Sequence, residues 1–387
     1  MAQRLFEAEL APLTRAYRTM RSMLSADITP AEKVDLMRQI YDGFFQHAMT
    51  DVTKRLGIVY TPVEIVDFMV RASDAICRKH FGKGLTAEGV HILDPFVGTG
   101  TFMHQILTIN DADGRPIIRD EDLVRKYRHE LHATELVLLA YYVAALKIEA
   151  GMESREGFAD GRFQQFENIV YGDTFLCNDA LVSGRLDGTD DNVQIAKELH
   201  QLPIRVAISN PPWSSGQDGA QEDNQNIEYF EIGHRVRESY SALQHKITNC
   251  SPGGNATGNL YVKAIRWASD RVGDPVPSAP RTAPSVSGVV AFVHPNSLTT
   301  GTALAGMRAA LRTEFSDIYV VNLRGDAYKS GAEFAREGSR FSAAVRVTAF
   351  SSHFSLAILR TQDSMDRLAC TTPRYPSTRI VSRNLPG

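Results

Sequence analysis

The tetrad Asn210-Pro211-Pro212-Trp213 carries the clearest chemical signal in this sequence. An aromatic amino group is a poor nucleophile because its lone pair is delocalised, so a site must accept both of its N–H hydrogens. The side-chain oxygen of Asn210 and the carbonyl of Pro211 supply two acceptors, and Pro212 helps to fix the backbone that carries them. Trp213 offers a flat face for a base, and such stacking is worth roughly 1–3 kcal/mol. The tetrad predicts chemistry at an exocyclic amine; the alternative is a strand-ending turn with a core tryptophan.

A glycine turn earlier in the chain suits a nucleoside-bearing cofactor. It follows a strand-like run at 91–94, precedes a helical run at 102–107, and reads Asp94-Pro95-Phe96-Val97-Gly98-Thr99-Gly100. The two glycines let backbone N–H groups approach a ligand, and the helix amino end adds a positive dipole. The spacing is neither that of a Walker loop nor that of a GxGxxG dinucleotide fingerprint. The alternative is a tight turn flanked by surface carboxylates.

Three further segments complete a predicted cofactor site. Glu135, a strand-end acid about forty residues downstream, suits the ribose hydroxyls. Asp173, after the third strand, suits an adenine amino group, and Tyr60-Thr61-Pro62 would close the methionine end. Together with the tetrad, these residues predict methyl transfer from S-adenosylmethionine to an amino nitrogen.

The surrounding pattern alternates short apolar strands with helices, which favours a doubly wound, mostly parallel sheet. Strands are predicted at 91–94, 132–135, 168–173, 206–209, 289–293 and 318–323, and helices at 61–79, 102–107, 136–150 and 307–315. Ligands of such sheets bind at the carboxyl ends of the strands, where all the segments above fall. Residues 1–56 are predicted to be helical, 273–288 to be a surface loop, and 341–387 receive no predicted element.

Composition sets bounds on the chain without identifying its partner. Its 387 residues, 43% apolar and 22% charged, are ordinary for a soluble protein of two or three structural units. No apolar run predicts a membrane span or a signal peptide. The four cysteines lie far apart, so we expect reduced thiols, a cytoplasmic location and no metal site.

Nucleic-acid binding would need a local basic face, because the net charge is only −3. One candidate strip facing phosphates consists of Lys246, Lys263, Arg266 and Arg271; the alternative is a solvated helix face. His294-Pro295-Asn296-Ser297 ends the fifth predicted strand on the ligand side, and it either lines a base pocket or turns the chain. Tyr229 and Phe230 are predicted to pack in the core; the alternative is contact with a flipped base.

The motifs and their order resemble the γ-class adenine-N6 DNA methyltransferases. The resemblance implies a Rossmann-like class I fold and assigns the cofactor to Tyr60, Thr61, Pro62, Asp94, Pro95, Phe96, Gly98, Gly100, Phe102, Glu135, Asp173 and Asn210. It assigns the target amine to Asn210, Pro211, Pro212 and Trp213. The tetrad of that family usually ends in Tyr or Phe, so the wider Trp213 would alter the pocket.

A closer likeness is to the methyltransferase region of type I single-polypeptide (type ISP) restriction–modification enzymes, which are helicase-linked DNA translocases. It covers about residues 1–338 and is carried by segments 57–66, 92–102, 261–272 and 322–325. It implies a coupler-like helical extension at 1–56, a methyltransferase domain at 57–338, a helical insert at 224–244 and an atypical tail at 339–387. Helicase, nuclease and target-recognition domains would be missing partners. We further expect a truncation or frame shift near residue 340 that removes the last strands.

The sequence therefore predicts an S-adenosylmethionine-dependent adenine-N6 methyltransferase acting on double-stranded DNA within a restriction–modification system, with no membrane contact. Two alternatives stay open. One is methylation of RNA or of a protein glutamine, which the same tetrad can perform. The other is an inactive remnant that binds the cofactor without turnover.

Overall fold

The computed structural model describes residues 61–153, 155, 165–176, 190–213, 229–248, 254–272, 288–295, 297–322 and the backbone of 352–360. The strands are β1 (His91–Asp94), β2 (Leu131–Glu135), β3 (Ile169–Tyr171), β4 (Ile204–Ser209), β5 (Gly288–Pro295), β6 (Asp317–Asn322) and β7 (Ser352–Arg360). The first helices are α1 (Val63–Phe81), α2 (Thr101–Thr108), α3 (Asp120–Arg125) and α4 (Leu138–Glu153). The later ones are α5 (Asp190–Gln201), α6 (Phe230–Val236), α7 (Ala242–Thr248), α8 (Gly254–Gly258), α9 (Leu260–Arg271), α10 (Ser297–Thr300) and α11 (Ala305–Glu314). Single π turns at Lys126–Glu130 and Arg237–Ser241 and a 3₁₀ turn at Thr302–Leu304 lie between them. None of the described helices has the length and apolar character needed to cross a membrane.

The seven strands form one sheet in the order β3-β2-β1-β4-β5-β7-β6. β3, β2, β1, β4 and β5 are parallel neighbours. β7 pairs antiparallel with β5 on one side and with β6 on the other. The chain reverses its direction of progress across the sheet between β1 and β4, and a crevice for a ligand forms at such a point.

The central strands are buried on both faces because helices cover both sides of the sheet. In β4, Val206 and Ile208 contact one apolar cluster, whereas Ala207 between them contacts the other. The first cluster includes residues of α1, α2 and α4, and the second includes residues of α6, α9 and α11. Successive strand side chains point to opposite faces, so a nearly continuous apolar run is what a strand covered on both sides requires.

Two helices begin at the residues that the sequence singles out. α1 starts after Pro62, whose φ of −54° and ψ of 140° are extended, and the amides of Ile65 and Val66 donate to its carbonyl. α2 starts after Gly100, which has a left-handed φ of 79°. A Cβ there would lie 3.0 Å from the backbone of Ala144, so the turn needs glycine both for its conformation and for packing against α4.

The doubly wound, mostly parallel sheet is confirmed, with all six predicted strands present within a few residues of their predicted bounds. The expectation that the last strands are absent is wrong, because Ser352–Arg360 forms β7 inside the stretch that received no predicted element. The insert predicted at 224–244 is helical over its described part, from Phe230. Residues 1–56, Tyr60 and the loop 273–287 lie outside the described residues.

Candidate active site at the carboxyl edge of the sheet

The glycine turn and the Asn-Pro-Pro-Trp tetrad leave the sheet at the same edge, from the neighbouring parallel strands β1 and β4. Asp94 ends β1 and Ser209 ends β4. The Ser209 hydroxyl donates to Asp94 Oδ1 at 2.6 Å, so the two segments touch where they leave the strands. The fold therefore brings the glycine turn and the tetrad to the same edge of the sheet, as the predicted arrangement requires.

Asp94 is fully buried at the centre of this edge. Besides the Ser209 hydroxyl, its Oδ1 accepts the Phe96 amide at 3.2 Å. Its Oδ2 is buried and has no hydrogen-bond partner among the described residues. Burial is the largest effect on this carboxyl and raises its pKa from 3.8 to about 7, and the nearby Glu135 raises it further.

The glycine turn is tied to the end of the adjacent strand β2. The Gly98 amide donates to Glu135 Oε2 at 2.8 Å, and the Val97 amide donates to the Thr134 carbonyl at 3.1 Å. Gly100 donates to the Val97 carbonyl at 2.9 Å. Both glycine amides are thus engaged within the protein. Both glycines have a positive φ, which few other residues adopt. At Gly98, where φ is 55°, a Cβ would meet no atom within 4 Å.

Glu135 ends β2, and Asp173 lies two residues after the end of β3 at the same edge. Glu135 Oε1 accepts the Val137 amide at 2.8 Å, and burial raises its pKa from 4.5 to about 7. Asp173 Oδ1 accepts the Phe175 amide at 2.9 Å and Oδ2 accepts the Tyr229 hydroxyl at 2.9 Å. Burial also raises the pKa of Asp173. Since a carboxylate has about four acceptor positions, both groups keep capacity for a ligand.

The tetrad lies between the two apolar clusters. Asn210 Nδ2 donates to the Thr61 hydroxyl oxygen at 2.9 Å, which brings the start of α1 to the end of β4. Pro211 is buried, and Asn210 and Pro212 are half-buried. Trp213 is also half-buried, but its ring packs against both clusters and its Nε1 is buried. Part of the indole therefore already contributes to the core, as the structural alternative for the tetrad anticipated.

Four aromatic rings pack together beside this edge of the sheet. Phe96 contacts Phe175 and Phe292 with ring centroids 5.5 and 6.4 Å apart, and Tyr229 contacts Phe175 at 5.0 Å. Phe102, in contrast, is a buried core residue of α2. The Thr174 hydroxyl donates to the Pro95 carbonyl and ties the end of β3 to the glycine turn.

Sequence reasoning missed Ser209 and the link from Tyr229 to Asp173. A hydroxyl residue at the end of the apolar run before the tetrad was the available signal for Ser209. Nothing in the sequence pairs Tyr229 with an acid 56 positions away. Lys263 lies over the Tyr229 ring, with Nζ 4.9 Å from the centroid, and its charge lowers the pKa of Asp173 against the larger effect of burial.

The basic strip is wrong for two of its members. Arg266 is buried, and it binds the carboxylates of Asp270 at 2.7 Å and Glu314 at 2.6 Å. Arg271 is buried and donates to the carbonyls of Leu199 and Leu202. These charges hold α9 in place and are not available to phosphates. The core assignment of Phe230 is also wrong, since two thirds of its surface is exposed.

His294 is fully buried at the end of β5, and its Nδ1 lies 2.8 Å from the Pro295 carbonyl. This segment was predicted either to line a base pocket or to turn the chain. The contact of His294 with the next residue favours the turn. Among the described residues no group of three or more His, Cys, Asp or Glu side chains is arranged to hold a metal ion.

The residues at this edge fit S-adenosylmethionine, which is a cation with a ribose and an adenine. The buried Oδ2 of Asp94, the buried carboxylate of Glu135 and the open space beside Gly98 are the features that favour it. No described Lys, Arg or His forms an ion pair with Asp94, Glu135 or Asp173. Among the described residues, no cationic side chain affects the pKa of Asp94 or Glu135, and buried carboxylates of this kind are typical of sites that receive charge from a ligand.

Comparison with known proteins confirms the resemblance inferred from the motifs. Residues 32–138 match the family model described as N-6 DNA Methylase. The structure is similar to the nuclease-deletion mutant of the type ISP restriction–modification enzyme LlaGI in complex with a DNA substrate mimic. That match has 34% identity, covers 88% of this chain and 26% of the other, and has a TM-score of 0.71.

Two further solved structures are similar over most of this chain. The ATP-dependent type ISP enzyme LlaBIII bound to DNA matches with 34% identity, covering 86% of this chain and 21% of its own, with a TM-score of 0.69. The DrdV–DNA complex matches with 30% identity, covering 90% of this chain and 31% of its own, with a TM-score of 0.70. The chain thus spans between a fifth and a third of these larger proteins. No curated protein sequence matches it. The doubly wound, mostly parallel sheet expected from the resemblance is confirmed by the strand order.

Proposed function

We propose that this chain is an S-adenosylmethionine-dependent methyltransferase that acts on the N6 amino group of adenine in double-stranded DNA. The observation that carries the proposal is the 2.6 Å hydrogen bond from Ser209 to Asp94. It joins the strand end that leads into the Asn210 tetrad to the acid that opens the glycine turn. A donor and an acceptor of a methyl group would therefore meet in one cleft.

The acids on the cofactor side each have a proposed task. Asp94 faces the cationic end of the cofactor, Glu135 accepts the ribose hydroxyls and Asp173 accepts the adenine amino group. Pro62 at the start of α1 closes the methionine end, and the backbone and rings of the glycine turn shape the pocket through Pro95, Phe96, Gly98, Gly100 and Phe102. When bound, S-adenosylmethionine supplies an electrophilic methyl group on a sulfonium.

The tetrad orients the target amine. The Asn210 side-chain oxygen and the Pro211 carbonyl accept its two N–H hydrogens, which directs the nitrogen lone pair toward the methyl group. Neither acceptor needs to remove a proton before transfer, because the amine becomes acidic once the methyl group has arrived. Trp213 stacks on the adenine, which must leave the duplex to reach the site.

The choice of DNA rests on the N-6 DNA methylase match and on the DNA-bound state of the similar structures. A role in a restriction–modification system rests on the two type ISP enzymes among them. Helicase, nuclease and target-recognition domains are the partners that we propose for it.

The test is to incubate the full chain with methyl-labelled S-adenosylmethionine and unmethylated DNA, RNA or protein. Digestion and mass spectrometry should find the label on adenine N6 of DNA, and Asn210→Ala should abolish it. Label on RNA or on glutamine would contradict the DNA assignment. Measurable cofactor binding with no label on any substrate would instead identify a binding protein without turnover.

A further inference from the structure

We propose that Thr61 is a positioning residue for the reaction: its hydroxyl oxygen accepts from Asn210 Nδ2 and so orients the Asn210 carboxamide. The contact measures 2.9 Å and joins residues 149 positions apart. That the oriented carboxamide acts on the amino group of adenine rests on the proposed function. The hydrogen bond itself does not.

An asparagine side chain needs such a partner because its two ends are nearly the same shape and opposite in hydrogen bonding. With the NH2 group directed at Thr61, the carboxamide oxygen lies on the other side of the same plane. Rotating the amide by 180° would present N–H donors to a substrate that itself offers N–H donors. In the hydrogen bond that the structure shows, the Thr61 oxygen is the acceptor, and the Asn210 oxygen is left to accept from a substrate.

Both ends of the contact are held by the fold. Thr61 directly precedes Pro62, whose carbonyl accepts the amides of Ile65 and Val66 at 3.0 and 3.2 Å, so the residue is fixed to the first turn of α1. Asn210 directly follows Ser209, which is fixed by its bond to Asp94. A hydrogen bond between two fixed segments orients the amide more strictly than one to a mobile side chain would.

This role differs from the cofactor contact that the family resemblance assigns to Thr61, and the two roles predict different kinetics. Loss of a cofactor contact weakens cofactor binding. Loss of the orienting bond leaves cofactor binding intact and slows methyl transfer, because the amide then spends part of its time in the unproductive rotamer.

The experiment compares Thr61→Val, which removes the acceptor and keeps the shape, with Thr61→Ser, which keeps the acceptor. Thr313→Val is the matched control, since its hydroxyl donates to the Ala310 carbonyl in α11, far along the chain from the site. We expect Thr61→Val to lower kcat about tenfold with the Kd for S-adenosylmethionine changed less than about twofold. Thr61→Ser should restore most of kcat, and Thr313→Val should change neither quantity. A weaker Kd with unchanged kcat would overturn the proposal.

A second readout needs no turnover. In protein labelled with ¹⁵N-asparagine, one side-chain amide proton of Asn210 should be shifted downfield and protected from exchange. The signal is assigned by its loss in Asn210→Gln. Thr61→Val should remove the shift and Thr61→Ser should keep it; an unchanged signal in Thr61→Val overturns the proposal. If wild type methylates no DNA but the signal depends on Thr61, the proposed function fails and the positioning contact stands.

Discussion

Among the described residues, buried charges are paired at the amino-terminal edge of the sheet, where the strands begin, and are not paired with cations at the carboxyl-terminal edge, where the strands end. At the amino edge, beside β2, the fully buried Lys126 lies 2.7 Å from Glu130 and also donates to two backbone carbonyls. His91 and His132 stack there with ring centroids 5.4 Å apart and share a 3.1 Å N···N contact. Burial lowers the pKa of His132 to about 3 and also lowers the pKa of His91, which disfavours the charged form of both rings. The amino edge balances its own charges.

At the carboxyl edge, the only described groups that hydrogen-bond to Asp94 and Glu135 are backbone amides and one hydroxyl, and burial raises the pKa of each carboxyl to about 7. No cationic side chain of the described residues balances them. An edge that is balanced internally stabilises the fold. An edge that leaves buried carboxylates unbalanced is adapted to a cationic ligand, at some cost to the stability of the ligand-free protein.

The largest effect should follow from removing the amine acceptor at the carboxyl edge. Asn210→Ala should lower the rate of methyl transfer about 10²–10³-fold, because a pre-organised acceptor of the transition state is lost. Single-turnover transfer of labelled methyl measures the rate, and calorimetry should show a cofactor Kd within about threefold of wild type. Loss of cofactor binding would mean that Asn210 acts on the cofactor side instead.

At the amino edge, breaking the balance should affect folding and not chemistry. Lys126→Met keeps the length of the side chain but removes the charge that faces Glu130, and breaking a buried pair costs about 3–5 kcal/mol. We expect the low end, since Arg125 also pairs with Glu130. Urea denaturation measures the free energy of unfolding. An unchanged free energy, or a large loss of activity per folded molecule, would show that the two edges do not divide their roles in this way.

Asp94→Asn should have the opposite effects to Lys126→Met: cofactor binding should weaken, and the fold should stay at least as stable. The asparagine oxygen still accepts from Ser209 and Phe96, so the fold is kept, and the buried charge is removed. We expect the free energy of unfolding at pH 8 to be equal to or higher than that of wild type. The Kd for S-adenosylmethionine should weaken by about tenfold or more, as charge-assisted contacts are about twice as strong as neutral ones. Lower stability combined with normal cofactor affinity would reverse the assignment.

The raised carboxyl pKa values predict a pH effect of defined sign. Asp94 and Glu135 have ordinary pKa values of 3.8 and 4.5, and both rise to about 7 in the folded chain. Protonation of these two carboxyls stabilises the ligand-free fold, and this contribution is fully present below about pH 4 and is lost as the pH rises through about 7. The Tm of wild type should therefore fall relative to that of Asp94→Asn/Glu135→Gln between pH 5 and pH 8. A constant difference in Tm would contradict the burial of these charges.

Much of the fold was predictable because it follows from local pattern. The apolar runs that end in Asp94 and Ser209 are strands between turn residues, and parallel strands bring their carboxyl ends together. β7 was missed because its place is a tertiary outcome. Nothing in the sequence 352–360 shows that it inserts antiparallel between β5 and β6. The same reason explains the error at Arg266, whose helix pattern is typical of a solvated charge while its partner Glu314 belongs to another helix.

The site was predictable in its residue types and not in its contacts. The order of the motifs determines which strand each of them follows. The parallel pairing of β1 with β4 then brings the ends of these strands together. The bond from Gly98 to Glu135 and that from Asn210 to Thr61 depend on loop conformation, which residue identity does not determine. Trp213 shows most plainly that a residue type does not determine its contacts. Its side chain packs on two apolar clusters and is also proposed to stack on a base.

The most direct test of the unbalanced carboxyl edge is the number of protons released when S-adenosylmethionine binds at pH 6.5. Calorimetry in two buffers with different ionisation enthalpies measures this number. A cation beside Asp94 and Glu135 should lower their pKa values from about 7, so binding should release protons, and Asp94→Asn/Glu135→Gln should abolish the release. Tight binding without proton release in wild type would contradict the account.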